Sequence, residues 1–371
     1  LHSFPTRRSS DLHIEVDELY AEVSLPILRD LPAVQRLEVN LAGRYSDYDL
    51  FGDSTNYKVG LGWEMIDGLK LRATSSTAFR IPNIPELFGG VAEGNLTTSD
   101  PCSGWASLPA GSVVRQNCQA AGVPATYVQL GNTILTTVGG NAALQPEDAD
   151  TFTVGVVWEP TFVQNLGVTL DYWEIDLEDS IQQIPGSEKL TICYTAAGLS
   201  HPFCAAEHHR RDPLTGDINF LSAQPSNVGL ESVSGVDLGI RYGRQIAGFD
   251  AGLNWNVSYL DTYDVTPFVG GTTIEYAGMI TGGRGSYAQV RSDAILDVRA
   301  PKWFGSYSLQ YIGSADDINV PEGPGSNIGS VLYHNVQGGY YLTEELRLAA
   351  GVDNLLDDYM EIGRASCRER V

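Results

Sequence analysis

Along most of this chain apolar and polar side chains take turns with a period of two, the spacing of a strand whose two faces meet different surroundings. In the stretch 69–88, Leu69, Leu71, Ala73, Ser75, Thr77 and Phe79 fall on one side, and Lys70, Arg72, Thr74, Ser76, Ala78 and Arg80 on the other. Pro82 and Pro85 cannot donate to a sheet ladder, so pairing is predicted to stop near Arg80. Asp67-Gly68, just before it, is a two-residue hairpin signal. The cleanest alternation is 249–259, with Phe249, Ala251, Leu253, Trp255, Val257 and Tyr259 against Asp250, Gly252, Asn254, Asn256 and Ser258. The same pattern predicts strands over 35–50 (with a slip near Gly43), 56–65, 148–159, 235–243, 287–298, 302–312, 331–342 and 346–355. Residues 14–25 alternate irregularly and are expected to break at Pro26 and Pro32. Over 167–181 the apolar phase passes from Val168, Leu170 and Tyr172 to Trp173, Ile175 and Leu177, which predicts a β-bulge. Glu174, Asp176 and Glu178 would then line a watered interior wall.

The strands are separated by a rhythm of short and long connections. Short turns at 31–34, 67–68, 160–165, 244–247, 300–301 and 343–345 contrast with polar, Gly-rich stretches at 89–137, 185–226, 262–285 and 314–327. Compact soluble domains seldom carry connections so long without a use for them. The pattern predicts an all-β fold of about 12 strands, an antiparallel transmembrane β-barrel with long loops on one rim. No run of about 18 apolar residues is present, so no spanning helix is predicted. The mildly negative mean hydropathy of −0.11 does not argue against a barrel, whose strands alternate. Trp158, Trp173, Trp255 and Trp303, with the many Tyr, are expected in aromatic girdles at the two lipid interfaces rather than on a sugar-binding surface.

Three short motifs point to a family. Phe79-Arg80-Ile81-Pro82 followed by Glu86-Leu87 resembles the F-R-x-P…E-L motif of TonB-dependent outer-membrane receptors, where it ends a barrel strand and opens an extracellular loop. Gly140-Asn141-Ala142-Ala143-Leu144-Gln145-Pro146-Glu147 resembles the segment that returns to the barrel after that loop, with Ala142 in place of a Pro. Val352-Asp353-Asn354-Leu355-Leu356-Asp357 resembles a segment near the family's C-terminus, with Leu356 in place of a Phe. The resemblance extends over 14–360. It implies a receptor in the outer membrane of a Gram-negative bacterium for energised uptake of a scarce nutrient, such as a ferric siderophore, a cobalamin or an oligosaccharide. The partners it implies are that ligand, outer-membrane lipid, and the inner-membrane TonB energising complex acting through a plug domain. Against roughly 22 strands in a complete transporter barrel, the resemblance implies a partial barrel whose long loops are extracellular; the plug, about half of the wall and a last C-terminal strand are expected outside this chain. Ligand contact is expected from the loops 89–137, 185–226 and 262–285, with Arg80 and Glu86 shaping the wall against the plug.

Charge narrows the partners. The chain carries 23 Lys and Arg against 46 Asp and Glu, a formal net charge of −23. Such a balance argues against nucleic acid. Both ends resemble in-frame translations of one sequencing-adapter oligonucleotide read on opposite strands, so 1–12 and 361–371 are expected to be non-native tails around a barrel segment at 13–360. Removing the five Arg and three acids of the tails leaves 18 against 43.

Of the 5 cysteines, Cys367 lies in the second tail. Cys102, Cys118, Cys193 and Cys204 sit in long polar stretches, and local pairing as Cys102–Cys118 and Cys193–Cys204 is one reading. The other is a metal site of Cys193 and Cys204 with His201, His208 and His209, although the spacing is not that of a zinc knuckle. No catalytic elbow, zinc-protease helix, phosphate loop or dinucleotide fingerprint is present, so neither an enzyme nor a cofactor is expected. Gly-Gly-Arg-Gly at 282–285 reads as loop flexibility. The competing classes are a passive porin-like channel and a secreted glycan-binding β-protein.

Overall fold

The computed structural model describes residues 14–131, 133–268, 270–281, 285–318, 320 and 326–359. Both proposed tails, Cys367 and Gly282 to Arg284 lie outside the described residues. Twelve long strands form one continuous wall: β1 (Val16–Leu31), β2 (Val34–Tyr48), β3 (Gly52–Ile66), β4 (Leu69–Arg80), β5 (Glu147–Trp158), β6 (Leu166–Gln182), β7 (Ser226–Ile246), β8 (Phe249–Thr266), β9 (Val290–Arg299), β10 (Trp303–Ile312), β11 (Val331–Tyr341) and β12 (Arg347–Val352). Each pairs antiparallel with its neighbours in this order, and β1 and β12 pair on one side only. Short turns join the strands at one end; from the other leave the long connections after β4, β6, β8 and β10, with a short turn at 49–51 between β2 and β3.

Register keeps the two faces distinct across the wall. Leu41 lies beside Val59 and Leu61 beside Ala73; Ala73 lies beside Val154, Leu170 beside Val156 and Leu238 beside Leu170. A one-residue slip anywhere would exchange the faces. On the polar face Arg72 reaches across β5 to Asp171, with Nε–Oδ1 2.9 Å and Nη2–Oδ2 2.7 Å. The residue between them in the register is Gly155, where a Cβ would collide with the Asp171 carboxylate.

Several expectations need correction. β1 runs through Pro26 to Leu31, and a register shift between Pro26 and Leu28 accommodates the residue that cannot donate. No slip occurs at Gly43; its register is continuous on both sides. The predicted bulge at Tyr172 and Trp173 is also absent, since both keep uninterrupted pairing with β5 and β7. The shift comes further out, around Gly229 and the positive-φ Asp179 (φ 54). Glu174, Asp176 and Glu178 therefore share the face of Val168, Leu170 and Tyr172, and Tyr172 Oη donates to Glu174 Oε2 at 3.1 Å. Trp173 lies on the opposite, polar face, over Gly235, and does not join a girdle with Trp158 and Trp255. The physical reason is common to these residues. The strand continues past the end of the apolar band, and there the alternation ceases to report which face is which.

Candidate functional site

The long connections are not loose loops. After β4, Asn83 caps a short helix α1 (Ile84–Phe88): its Oδ1 accepts from Glu86 N at 2.8 Å, and Glu86 Oε2 accepts from Asn83 N at 2.8 Å. Glu86 also receives Arg80 Nη1 at 3.1 Å, while Arg80 Nε bonds Glu147 Oε2. The sequence N-x-x-E was a legible capping box that the strand reading passed over. Beyond it come a strand (Ala92–Thr97), helix α2 (Val113–Ala120) and a returning strand (Thr133–Val138). The connection after β6 carries helix α3 (Gly186–Thr195) and strands His209–Arg211 and Ile218–Ser222.

These two connections fold together into one cap. Leu221 pairs parallel with Thr136, so a four-stranded sheet passes from the first connection into the second. Under it Cys102, Trp105, Cys118, Val123, Tyr127, Ile134, Leu190, Cys193, Tyr194 and Leu221 form a buried core. Cys102 is bonded to Cys118 and Cys193 to Cys204. Asn117 Nδ2 donates to the carbonyls of Tyr194 (2.9 Å) and Ala196 (2.6 Å), joining α2 to the end of α3. Arg211 forks onto Asp100 and also donates through Nε to Tyr194 Oη at 2.7 Å. Burial weakens the charged form of Arg211, but the Asp100 carboxylate outweighs it and the guanidinium titrates above its ordinary range. Burial, then the hydrogen bond its hydroxyl donates to Asp100, push Tyr127 upward.

The three cap histidines serve packing. His201 Nδ1 accepts from Phe203 N at 3.1 Å, and His209 Nδ1 lies 3.2 Å from Phe203 O. His208 packs edge-on against the fully buried Phe203 ring. Phe268, from the connection after β8, packs edge-on against His201 and tilted against Phe203, and brings that connection against the cap. With Cys193 and Cys204 bonded to each other, the alternative metal set is spent on other partners. Among the described residues no three His, Cys, Asp or Glu side chains are placed to hold a metal ion. Burial holds His208 and His209 below the usual imidazole range, helped at His208 by Lys189 and at His209 by Arg211. Lys189 itself is buried, donates to Gln224 O at 2.8 Å, and burial pushes its ammonium down to about 8.

The remaining motif residues divide into two places. Phe79 packs edge-on against Tyr48, Pro82, Leu87 and Leu144 are buried at the root of the cap, and Asn141 and Glu147 bond there, with Pro146 between them in sequence. Asn354, Leu355 and Asp357 lie after β12, where Asn354 N donates to Asn335 Oδ1 at 2.8 Å and Leu355 N to His334 O at 2.7 Å. They do not join the cap. Asp100, Asn117, Lys189, Arg211, Gln224 and Asn227 escaped the sequence reading, because each meets partners far along the chain with no local pattern to mark them.

The sequence model of the TonB dependent receptor-like β-barrel matches residues 3–355. A point variant of the ferric enterobactin receptor of Pseudomonas aeruginosa superposes with a TM-score of 0.60 at 17% identity, covering 96% of this chain and 42% of that one. Another variant of that receptor, in complex with enterobactin, gives 0.58 at 16% identity, covering 93% and 40%. A siderophore receptor from Acinetobacter baumannii gives 0.56 at 14% identity, covering 93% and 42%. The chain thus spans less than half the length of these receptors.

Proposed function

The chain belongs to the TonB-dependent receptor β-barrel family, and from that premise we propose that it forms the C-terminal wall and part of the mouth of an outer-membrane receptor for a ferric siderophore. Residues 13–360 carry that wall, flanked by non-native tails at 1–12 and 361–371. The apolar face of β1–β12 meets lipid, and the face bearing Arg72, Asp171 and Arg80 meets the lumen. The observation that carries the reading is the asymmetry of the rims. Tight turns close one end, while the other bears a folded, disulfide-bonded cap too elaborate for a passive pore.

The division of labour follows from where the groups sit. The cap and the connection holding Phe268 present the ligand-facing surface, and they bind rather than transform. Movement through the lumen falls to a plug domain of the complete receptor, pulled by the inner-membrane TonB complex. The hydrated polar face of the wall leaves that passage free of lipid. The siderophore receptors among the fold's neighbours support this ligand class over cobalamin or oligosaccharide.

Binding tests the proposal. The chain in detergent is titrated with a ferric tris-catecholate, a ferric hydroxamate, cobalamin and a maltodextrin, following tryptophan fluorescence. Saturable quenching by one of the ferric chelates, absent with its iron-free form, is expected. Saturation by cobalamin or the sugar alone would move the assignment to that class, and response to none would remove ligand binding from this part of the mouth.

A further inference from the structure

The roots of the two cap connections are fastened to the wall and to each other by side-chain amides. Asn141 Nδ2 donates to Pro225 O at 2.9 Å, and Gln224 Nε2 donates to Gly140 O. Asn227 and the backbone of Gln145 exchange a pair of bonds: Gln145 N to Asn227 Oδ1 at 2.9 Å and Asn227 Nδ2 to Gln145 O at 2.8 Å. The same Asn227 amide reaches Asp179 O at 3.0 Å. Backbone bonds complete the set, with Asn141 N to Glu86 O at 2.7 Å and Gly140 N to Gly89 O at 2.9 Å. Glu147 spends one oxygen on Arg80 and the other on Ile181 N at 2.6 Å.

Four chain crossings join the cap to the wall, near 86–89, 140–147, 179–182 and 223–227, and each is held in this network. A lid that swings needs a few residues free to absorb a change in backbone angles. Here each crossing is bonded to another, so a change at one must break bonds at a second. Bending within the cap is opposed as well, by a shared core, two disulfides and a buried ion pair.

We propose that the two-connection cap is a standing grating and not a closing lid, with Asn141, Gln224 and Asn227 as its positioning residues. Ligands are then sorted by the shape of a fixed opening on this side of the mouth. The word ligand rests on the receptor reading, but the fixity of the cap does not, so the two fail separately.

Distance measurement between spin labels tests it. Cys367 is replaced by Ser so that it takes no label, and labels are placed at Val113→Cys on α2 and Phe162→Cys in the turn between β5 and β6, both exposed. A wall-only pair, Phe162→Cys with Glu344→Cys, reports on the barrel. The cap–wall distribution is expected to be single and as narrow as the wall-only one, with or without a ferric tris-catecholate probe. Asn141→Ala with Asn227→Ala should broaden the cap–wall distribution about two-fold while the wall-only pair stays unchanged. If that double variant disturbs the wall as well, Gln224→Ala alone is read in its place. A broad or two-peaked cap–wall distribution in the wild type, a shift on adding the probe, or a variant that leaves the distribution as it was would each overturn the proposal.

Discussion

Arg211 and Asp100, 111 residues apart in sequence, meet as a two-pronged ion pair with both nitrogen–oxygen distances at 2.6 Å. The carboxylate is completely buried and the guanidinium nearly so. Each is the other's compensation for leaving water, so removing one strands a charge. Arg211→Ala should therefore cost the cap about 3–5 kcal/mol. Asp100→Asn, which keeps the shape and loses the charge, should also be destabilising. Limited proteolysis checks this: cleavage should move into 98–137 and 185–225 while the wall strands stay protected. Protection unchanged in both variants would mean that the pair adds nothing to the cap.

The two disulfides close segments of 16 and 11 residues within the cap. Loops of this length are stabilised by about 3 kcal/mol each when their ends are bonded. Reduction should loosen the cap and leave the wall standing, since no cysteine lies in β1–β12. Amide exchange with and without dithiothreitol separates the two: α2 and α3 should lose protection, and β4–β8 should keep theirs. Loss of protection in both regions together would show that the cap is needed for the wall to fold.

Acid should weaken the cap. His208 and His209 titrate below their ordinary value because burial disfavours the imidazolium. The unfolded chain then binds protons more readily than the folded one, so stability is complete above about pH 6.5 and falls as the pH drops below it. Lys189 acts in the same direction higher up: with its ammonium pushed down to about 8, stability rises as the pH climbs from there toward the ordinary lysine value. The urea midpoint of a dye on Val113→Cys, measured between pH 5 and pH 8, should increase with pH. His208→Gln with His209→Asn should flatten the lower part of that rise. A midpoint that climbs as the pH falls would contradict the assignment.

How much of this was legible follows from where the partners lie. The wall strands were readable because neighbours in sequence are neighbours in space, so each strand carries its own register in its alternation. Leu69 to Arg80 was bounded correctly by Asp67-Gly68 on one side and Pro82 on the other. The alternation misled at Trp173, where the chain leaves the apolar band while still paired. The cap was unreadable for the opposite reason. Its sheet depends on Leu221 finding Thr136, and its ion pair on Arg211 finding Asp100, and nothing local in a Gly- and Ser-rich stretch announces either meeting.

Gly235 on β7 supplies a last test, one that concerns the wall and not the cap. A Cβ there would press on the indole of Trp173 and on the carbonyl oxygen of Tyr259, both closer than real Cβ contacts come. The ring can turn away, but the carbonyl belongs to the paired strand β8 and cannot. Gly235→Ala should therefore cost about 1–3 kcal/mol, as overpacking does, and Trp173→Ala added to it should recover only the part due to the ring. Gly43→Ala is the control, because its Cβ would meet nothing nearer than 4.0 Å. Heat unfolding in detergent ranks the three: the Gly43 variant near wild type, the Gly235 single variant lowest, the double variant between. A Gly235 variant that melts with the wild type would mean that β7 and β8 are not held in the register described, and the bulge between Ser234 and Gly235 would have to be placed elsewhere.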